Sequence, residues 1–174
     1  EPRYMVLYEV RDLQTLASDA YLARLNNPTP RTQRVMPFYR GMNRGLCSVR
    51  GSFGLGQGGT AALVRFSAAE EDQAAVQRWL LHDVLSQVPH RPGLGSAHLL
   101  QGAQPAAMTN EQRIRGADQG IGWAVIVTGY ESDRVSAYVA SLCASGELAA
   151  AGARELRCAQ YSTSYTLSSS ELDA

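Results

Sequence analysis

The sequence predicts an α+β protein, an antiparallel sheet carrying its helices on one face. Two observations predict it. Short runs rich in β-branched and aromatic residues alternate with stretches of helical period, and Gly- and Pro-rich connections separate them. A chain of 174 residues, 45% apolar, can bury one good core without disulfide staples.

Tyr4 to Val10 (YMVLYEV) reads as a first strand. Leu13, Leu16, Ala17, Ala20 and Leu25 then follow a 3.6-residue stripe. The helix they predict stops near Asn26 and Asn27, because Pro28 and Pro30 force extended backbone before them. Thr29 to Arg44 has no clean period and is interrupted by Pro37 and Gly41, so it reads as a long structured loop with one short helical turn. Leu46 to Phe53 and Thr60 to Phe66 are strand-like, and the glycine-rich Gly54 to Gly59 between them predicts a β-hairpin.

Ser67 and Glu70 form a capping box, and Glu70, Glu71 and Asp72 suit the positive end of a helix dipole. That helix presents Val76, Trp79, Leu80, Val84 and Val88 inward and closes at Pro89, Pro92 and Gly93. Ala97 to Leu100 is a fourth strand, Gln104 to Gly120 a polar connector, and Trp123 to Tyr130 a fifth strand. Ser132 or Asp133 caps a last helix whose inward face is Val135, Tyr138, Val139 and Leu142. Leu148 to Ala153 fits either helix or loop, and Arg157 to Leu167 alternates as a final strand before a serine-rich tail.

The predicted order is β-α-β-β-α-β over residues 1–104, followed by a connector and a partial β-α-β repeat over 105–174 packed into the same domain. The first unit matches the split βαβ, ferredoxin-like motif. On this element order, over about residues 3 to 104 with an echo over 121 to 168, the chain resembles the dimeric α/β-barrel superfamily. The resemblance implies a homodimer or a higher even-numbered oligomer. It also implies activities such as those of cofactor-free oxygenases, lactone isomerases, cyclases and lyases, with haem proteins a further possibility in the same superfamily.

Composition narrows the function. Net charge is zero, whereas a general nucleic-acid binder presents a strongly basic domain. The longest apolar stretch, Trp123 to Val127, is too short to span a membrane, and no signal-like leader is visible. Cys47, Cys143 and Cys158 are odd in number, widely spaced and without a CxxC pair, which suits a reducing cytoplasm better than a disulfide framework. The Gly54 to Gly59 loop precedes a strand, and no Gly-Lys-Ser/Thr follows, so it lacks the helix N-terminus that phosphate cradling needs.

One charge asymmetry points to a ligand. Ala20 to Ala69 contains seven of the arginines and no Asp or Glu, and the chain has no lysine. Converging guanidiniums bind carboxylates, enolates or phosphates bidentately. Arg24 and Arg65 read as solvating a helix and a strand edge, which leaves Arg31, Arg34, Arg40, Arg44 and Arg50 as substrate-binding candidates. Arg40 and Arg44 are spaced i,i+4 if their segment is helical. Of the three histidines, His82 reads as a solvated helix position and His90 as a turn residue between prolines. Their spacing with His98 matches no metal signature, so no metal or other cofactor is expected. His98 alternates with Ala97 and Leu99 on a strand, so its imidazole faces either the helices or the opposite cavity, where it suits a general base. Tyr8 shares a strand face with Tyr4 and is the candidate hydrogen-bond donor. Together these predict an enzyme acting on a small anionic aromatic or cyclic metabolite by proton transfer. The alternative is a noncatalytic binding or assembly protein with the same pocket.

Overall fold

In the computed structural model, which describes residues 3–103, 109–115, 120–168 and 171, one five-stranded sheet organises the chain. Its strands are β1 (Cys47–Phe53), β2 (Thr60–Ala68), β3 (Leu94–Gly102), β4 (Trp123–Gly129) and β5 (Ala153–Ser162). They lie in the order β1-β3-β4-β2-β5, and every adjacent pair is antiparallel. The helices are α1 (Asp19–Asn26), α2 (Pro30–Val35), α3 (Glu70–Trp79), α4 (Asn110–Arg115), α5 (Ser132–Ala144) and α6 (Glu147–Ala150). From α3 the chain continues without a break through a π-helical turn at Leu80–Val84 and a 3-10 turn at Leu85–His90.

Strand alternation decides which face is core. Ala62, Val64 and Phe66 of β2, Leu94, Ala97 and Leu99 of β3, and Trp123, Val125 and Val127 of β4 are buried on one side. The helical segments supply the other wall: Val76, Leu80, Leu85 and Val88 from α3 and its continuation, and Val135, Val139 and Leu142 from α5. The inward faces expected for both helices are therefore realised, with Trp79, Val84 and Tyr138 half-buried at their margins. Phe66 and Trp123, paired across β2 and β4, stack with ring centroids 6.1 Å apart.

The fold is α+β with ferredoxin-like topology, but the unit is placed differently along the chain. β2-α3-β3-β4-α5-β5 forms the β-α-β-β-α-β motif, so it runs from Thr60 to Ser162 where the sequence suggested residues 1–104. The partial repeat expected after residue 105 supplies two of the five strands of this same sheet, β4 and β5. The residue 104 division itself, and with it parts of the Gln104 to Gly120 connector, lies outside the described residues. Within that connector α4 is helical.

Four local readings are corrected. Tyr4 to Val10 forms no strand; Tyr4, Val6, Leu7 and Tyr8 are exposed, and no residue from 3 to 46 is buried. Strand propensity expresses packing on a pleated surface, and no such surface pairs with this segment. The helix expected after it breaks at Ser18 into a 3-10 turn (Leu13–Ala17) and α1, because Asp12 and Ser18 each cap a separate start.

β1 and β2 are not a hairpin either, since β3 and β4 lie between them. The glycine segment crosses the ends of those strands, pressed against their backbone. A Cβ on Gly54 (φ +79°) would sit 2.2 Å from the Gly95 carbonyl oxygen, and one on Gly58 (φ +64°) 2.1 Å from that of Gly129. Finally, Ser67 belongs to β2, where its hydroxyl meets the Arg154 carbonyl and the Glu155 carboxylate, and the N-cap of α3 is Ala69.

Candidate functional site

The face of the sheet opposite the helices carries the candidate base. Alternation places Ala124, Ile126 and Thr128 of β4 there, with Leu63 of β2 and His98 of β3 as the cross-strand partners of Ile126. Ser52 of β1 is the partner of His98. Of the two faces sequence reasoning allowed, His98 therefore lies on the one away from the helices.

His98 sits in a directed chain of hydrogen bonds. The Thr128 hydroxyl donates to the Gly56 carbonyl oxygen at 3.0 Å and accepts from the Ser96 backbone N–H at 3.2 Å. With its proton committed, Thr128 receives the Ser96 hydroxyl proton over the 2.7 Å contact between them. Ser96 Oγ then accepts from His98 Nε2, 3.2 Å away. The Nε2 proton leaves Nδ1 as the basic nitrogen, and Nδ1 accepts the Ser52 hydroxyl proton at 2.9 Å. The glycine crossover thus acts as the anchor of the chain, through the carbonyl of Gly56, and the exposed Ser52 is its open end.

Electrostatics agree with a neutral imidazole. Partial burial lowers the His98 pKa from its ordinary value, and the charge of Glu9 opposes this. Glu9 lies next to Tyr8, so the N-terminal segment runs within electrostatic range of this face. Tyr8 itself is 84% exposed and stands on coil, so the expected strand that would aim its hydroxyl is not formed.

The arginines are distributed more widely. Arg31 and Arg34 project from α2 into solvent, and Arg50 stands exposed at the irregularity between Val49 and Gly51 on the edge strand β1. Arg40 and Arg44 lie on an irregular segment bent at Gly41 (φ +60°), so the helical i,i+4 relation does not arise. Arg40 Nη1 donates to the carbonyls of Pro37 and Tyr39. Arg44 Nη2 donates to the Tyr21 hydroxyl at 2.9 Å, and its guanidinium lies 5.9 Å from the centre of that ring. The ion pairs among the described residues are Arg11–Asp12, Arg134–Glu131 and Arg154–Asp72, so no acid neutralises the five candidate arginines there. Their hydrogen bonds do not join them to the His98 chain.

Ser52, Ser96 and Thr128 were missed from sequence. The Ser96-Ala97-His98 spacing is a visible signal, since i and i+2 share a strand face. Ser52 and Thr128 reach His98 only through strand register, which single-sequence pattern does not give. His82 and His90 are exposed, as expected for solvated positions. Among the described residues no group of three or more His, Cys, Asp or Glu is gathered to hold a metal, and no helix is long and apolar enough to cross a membrane. Two clefts lie away from His98. One of about 370 Å³ lies between α3 and α6, lined by Ala75, Trp79 and Glu147; a second of about 280 Å³ lies between α5 and β5.

No family model matches this chain, and no curated protein matches it. Among solved structures it is similar to one described as a crystal structure study of an anthrone oxidase-like protein, with a TM-score of 0.44 and 15% sequence identity. The similarity covers 71% of this chain and 58% of that one, so the match spans less than two thirds of the other protein's length.

Proposed function

We propose that this protein is an enzyme that acts on a small anionic aromatic or cyclic metabolite by general acid/base chemistry, of the isomerase, cyclase, lyase or oxygenase type. The observation that carries this reading is the directed chain from Gly56 to Ser52. It holds one histidine neutral, in a defined tautomer, with its basic nitrogen at the open end. His98 Nδ1 takes the substrate proton, either directly once Ser52 turns aside or through the Ser52 hydroxyl as a relay. Ser96 stabilises the imidazolium that results, because its Oγ accepts from Nε2–H while its own proton is held by Thr128. Proton transfer of this kind is supplied by these side chains themselves.

Arg40 and Arg44 hold the anion in this reading, with Arg31, Arg34 and Arg50 adding positive potential. Arg40 retains Nε and Nη2, and Arg44 retains Nη1, beyond the bonds that anchor them. The experiment is a panel of cyclic and aromatic carboxylates and enolisable ketones, read by proton exchange with deuterated water and by calorimetry. His98→Gln should abolish exchange while leaving binding within about threefold. Arg40→Gln or Arg44→Gln should weaken anions by roughly 1.5 to 3 kcal/mol and spare neutral analogues. Binding with no exchange on any probe, unchanged by His98→Gln, would leave the second reading, a noncatalytic binding or assembly protein. The exposed Tyr4, Val6, Leu7, Tyr8 and Phe38 favour that reading.

A further inference from the structure

The three cysteines look unrelated in sequence, but the fold brings two of them into contact. Cys143 is on the last turn of α5 and Cys158 is in the middle of β5, and their Sγ atoms are 2.7 Å apart. A disulfide needs about 2.05 Å, so roughly 0.7 Å of side-chain movement closes the bond. Cys47 is on β1, at the opposite edge of the sheet, so within one chain only one pairing is available.

The surroundings suit exchange with a small thiol reagent. Both sulfurs line the 280 Å³ cleft between α5 and β5, whose other walls are short side chains: Ser136, Ala140 and Ala159, with Val139 and Gln160 beside them. α5 is already tied to β5 at the other end of that cleft. Ser136 donates to the Gln160 side-chain oxygen, and Gln160 Nε2 donates to Ser132 at 2.9 Å. The Cys143 to Cys158 contact is the matching tie at the helix's C-terminal end. β5 pairs with β2 alone, so this second tie secures an edge strand.

We propose that Cys143 and Cys158 form a reversible disulfide that fastens the end of α5 to the edge strand β5, by exchange with a low-molecular-weight disulfide of the glutathione class. The Cys158 thiol gives up its proton, and the thiolate attacks one sulfur of the reagent. The reagent's S–S bond breaks, a mixed disulfide forms on Cys158, and one reagent thiolate leaves. Cys143 then loses its proton to solvent or to that thiolate and attacks the Cys158 sulfur, releasing the second thiolate. The two protein thiols are oxidised to one disulfide, and one reagent disulfide is reduced to two thiols. In the reduced pair, burial and then the hydrogen bond and charge of Cys158 push the Cys143 thiol up to about 12, and the last two causes are removed once Cys158 carries the mixed disulfide.

The test treats the reduced full chain with oxidised glutathione and reads intact mass, peptide map and melting curve. The expected product has lost two hydrogens, yields a Cys143–Cys158 cross-linked peptide and melts roughly 5 to 10 °C higher, all reversed by dithiothreitol. Cys47→Ser should behave in the same way. Cys143→Ser should instead stop at a stable glutathione adduct on Cys158. A persistent glutathione adduct on the unaltered chain, a product cross-linked between chains through Cys47, or no reaction under conditions that oxidise a model dithiol would each overturn the proposal.

Discussion

At the scale of single residues, His98 shows how a modest side chain acquires a defined state. Its two ring nitrogens have different partners, and the donor count of Thr128 and Ser96 leaves one consistent arrangement of protons. The same environment makes a pH prediction. An ordinary histidine titrates near 6.5, and partial burial holds His98 below that value in the folded chain. Above pH 6.5 the imidazole is neutral in both states and adds nothing to the pH dependence. As pH falls through 6.5 the unfolded chain takes up its proton first, so stability declines until the folded His98 also protonates, and then levels off. The native chain should therefore lose more melting temperature than His98→Gln between pH 7.5 and 5. Parallel curves for the two would show that His98 is solvated and that the hydrogen-bonded chain does not form. Of this cluster alternation in the sequence identified His98 alone, and Ser96 was passed over although it stands two residues away on the same strand face. Ser52 and Thr128 were not legible, because they meet His98 across strands 46 and 30 residues away along the chain.

At the scale of elements, periodicity was a better guide than the signals that mark element ends. The stripes Val76-Leu80-Val88 and Val135-Val139-Leu142 are buried as their spacing implies, because only that face meets the sheet. The capping box at Ser67 misled because the same local pattern serves two structures. β2 runs on to Ala68, so Ser67 is spent on β5, where it meets Arg154 and Glu155. The turn is left to Ala69, which has the extended backbone of an N-cap (φ −63°, ψ 155°) and no side chain to cap with. Ala69→Ser should therefore stabilise the chain by about 0.5 to 2 kcal/mol in denaturant titration. Ser67→Ala should cost about 0.5 to 1.5 kcal/mol through the lost contacts to β5. If Ala69→Ser gains nothing while Ser67→Ala exposes the first turn of α3 to hydrogen exchange, Ser67 is the cap after all. Glycine was misread for a related reason. A run of glycines fits a hairpin turn and a backbone-hugging crossover equally well, and the choice between them rests on which strands pair, a long-range property.

At the scale of the whole molecule, the sheet has one face filled by α3 and α5 and another, turned away from those helices, at whose centre Ala124 and Ile126 are buried. Leu63, Leu100 and Val49 lie on that second face, and Val49 is 58% exposed. Beside it the N-terminal segment holds Tyr4, Val6, Leu7 and Tyr8 in solvent, each at least 60% exposed. At about 25 cal/mol per Å², leaving apolar groups of this size in water costs several kcal/mol that association recovers. A twofold arrangement places the same patch on both partners, so one face meeting its own copy would cover Leu63 and enclose His98 in a space that this chain alone does not close. The expected species is thus a homodimer in sedimentation at micromolar concentration. Leu63→Asp separates this surface from the core, because Leu63 is half-buried on the open face while its neighbours Ala62 and Val64 carry the buried one. That variant should sediment as a monomer, keep its helical circular dichroism, and lose any proton-exchange activity along with the enclosure of His98. A dimer that survives Leu63→Asp but dissociates when Leu7 and Tyr8 are made polar would move the interface to the N-terminal segment. A monomeric native chain would remove the twofold enclosure altogether and leave His98 working, if it works, on an open surface.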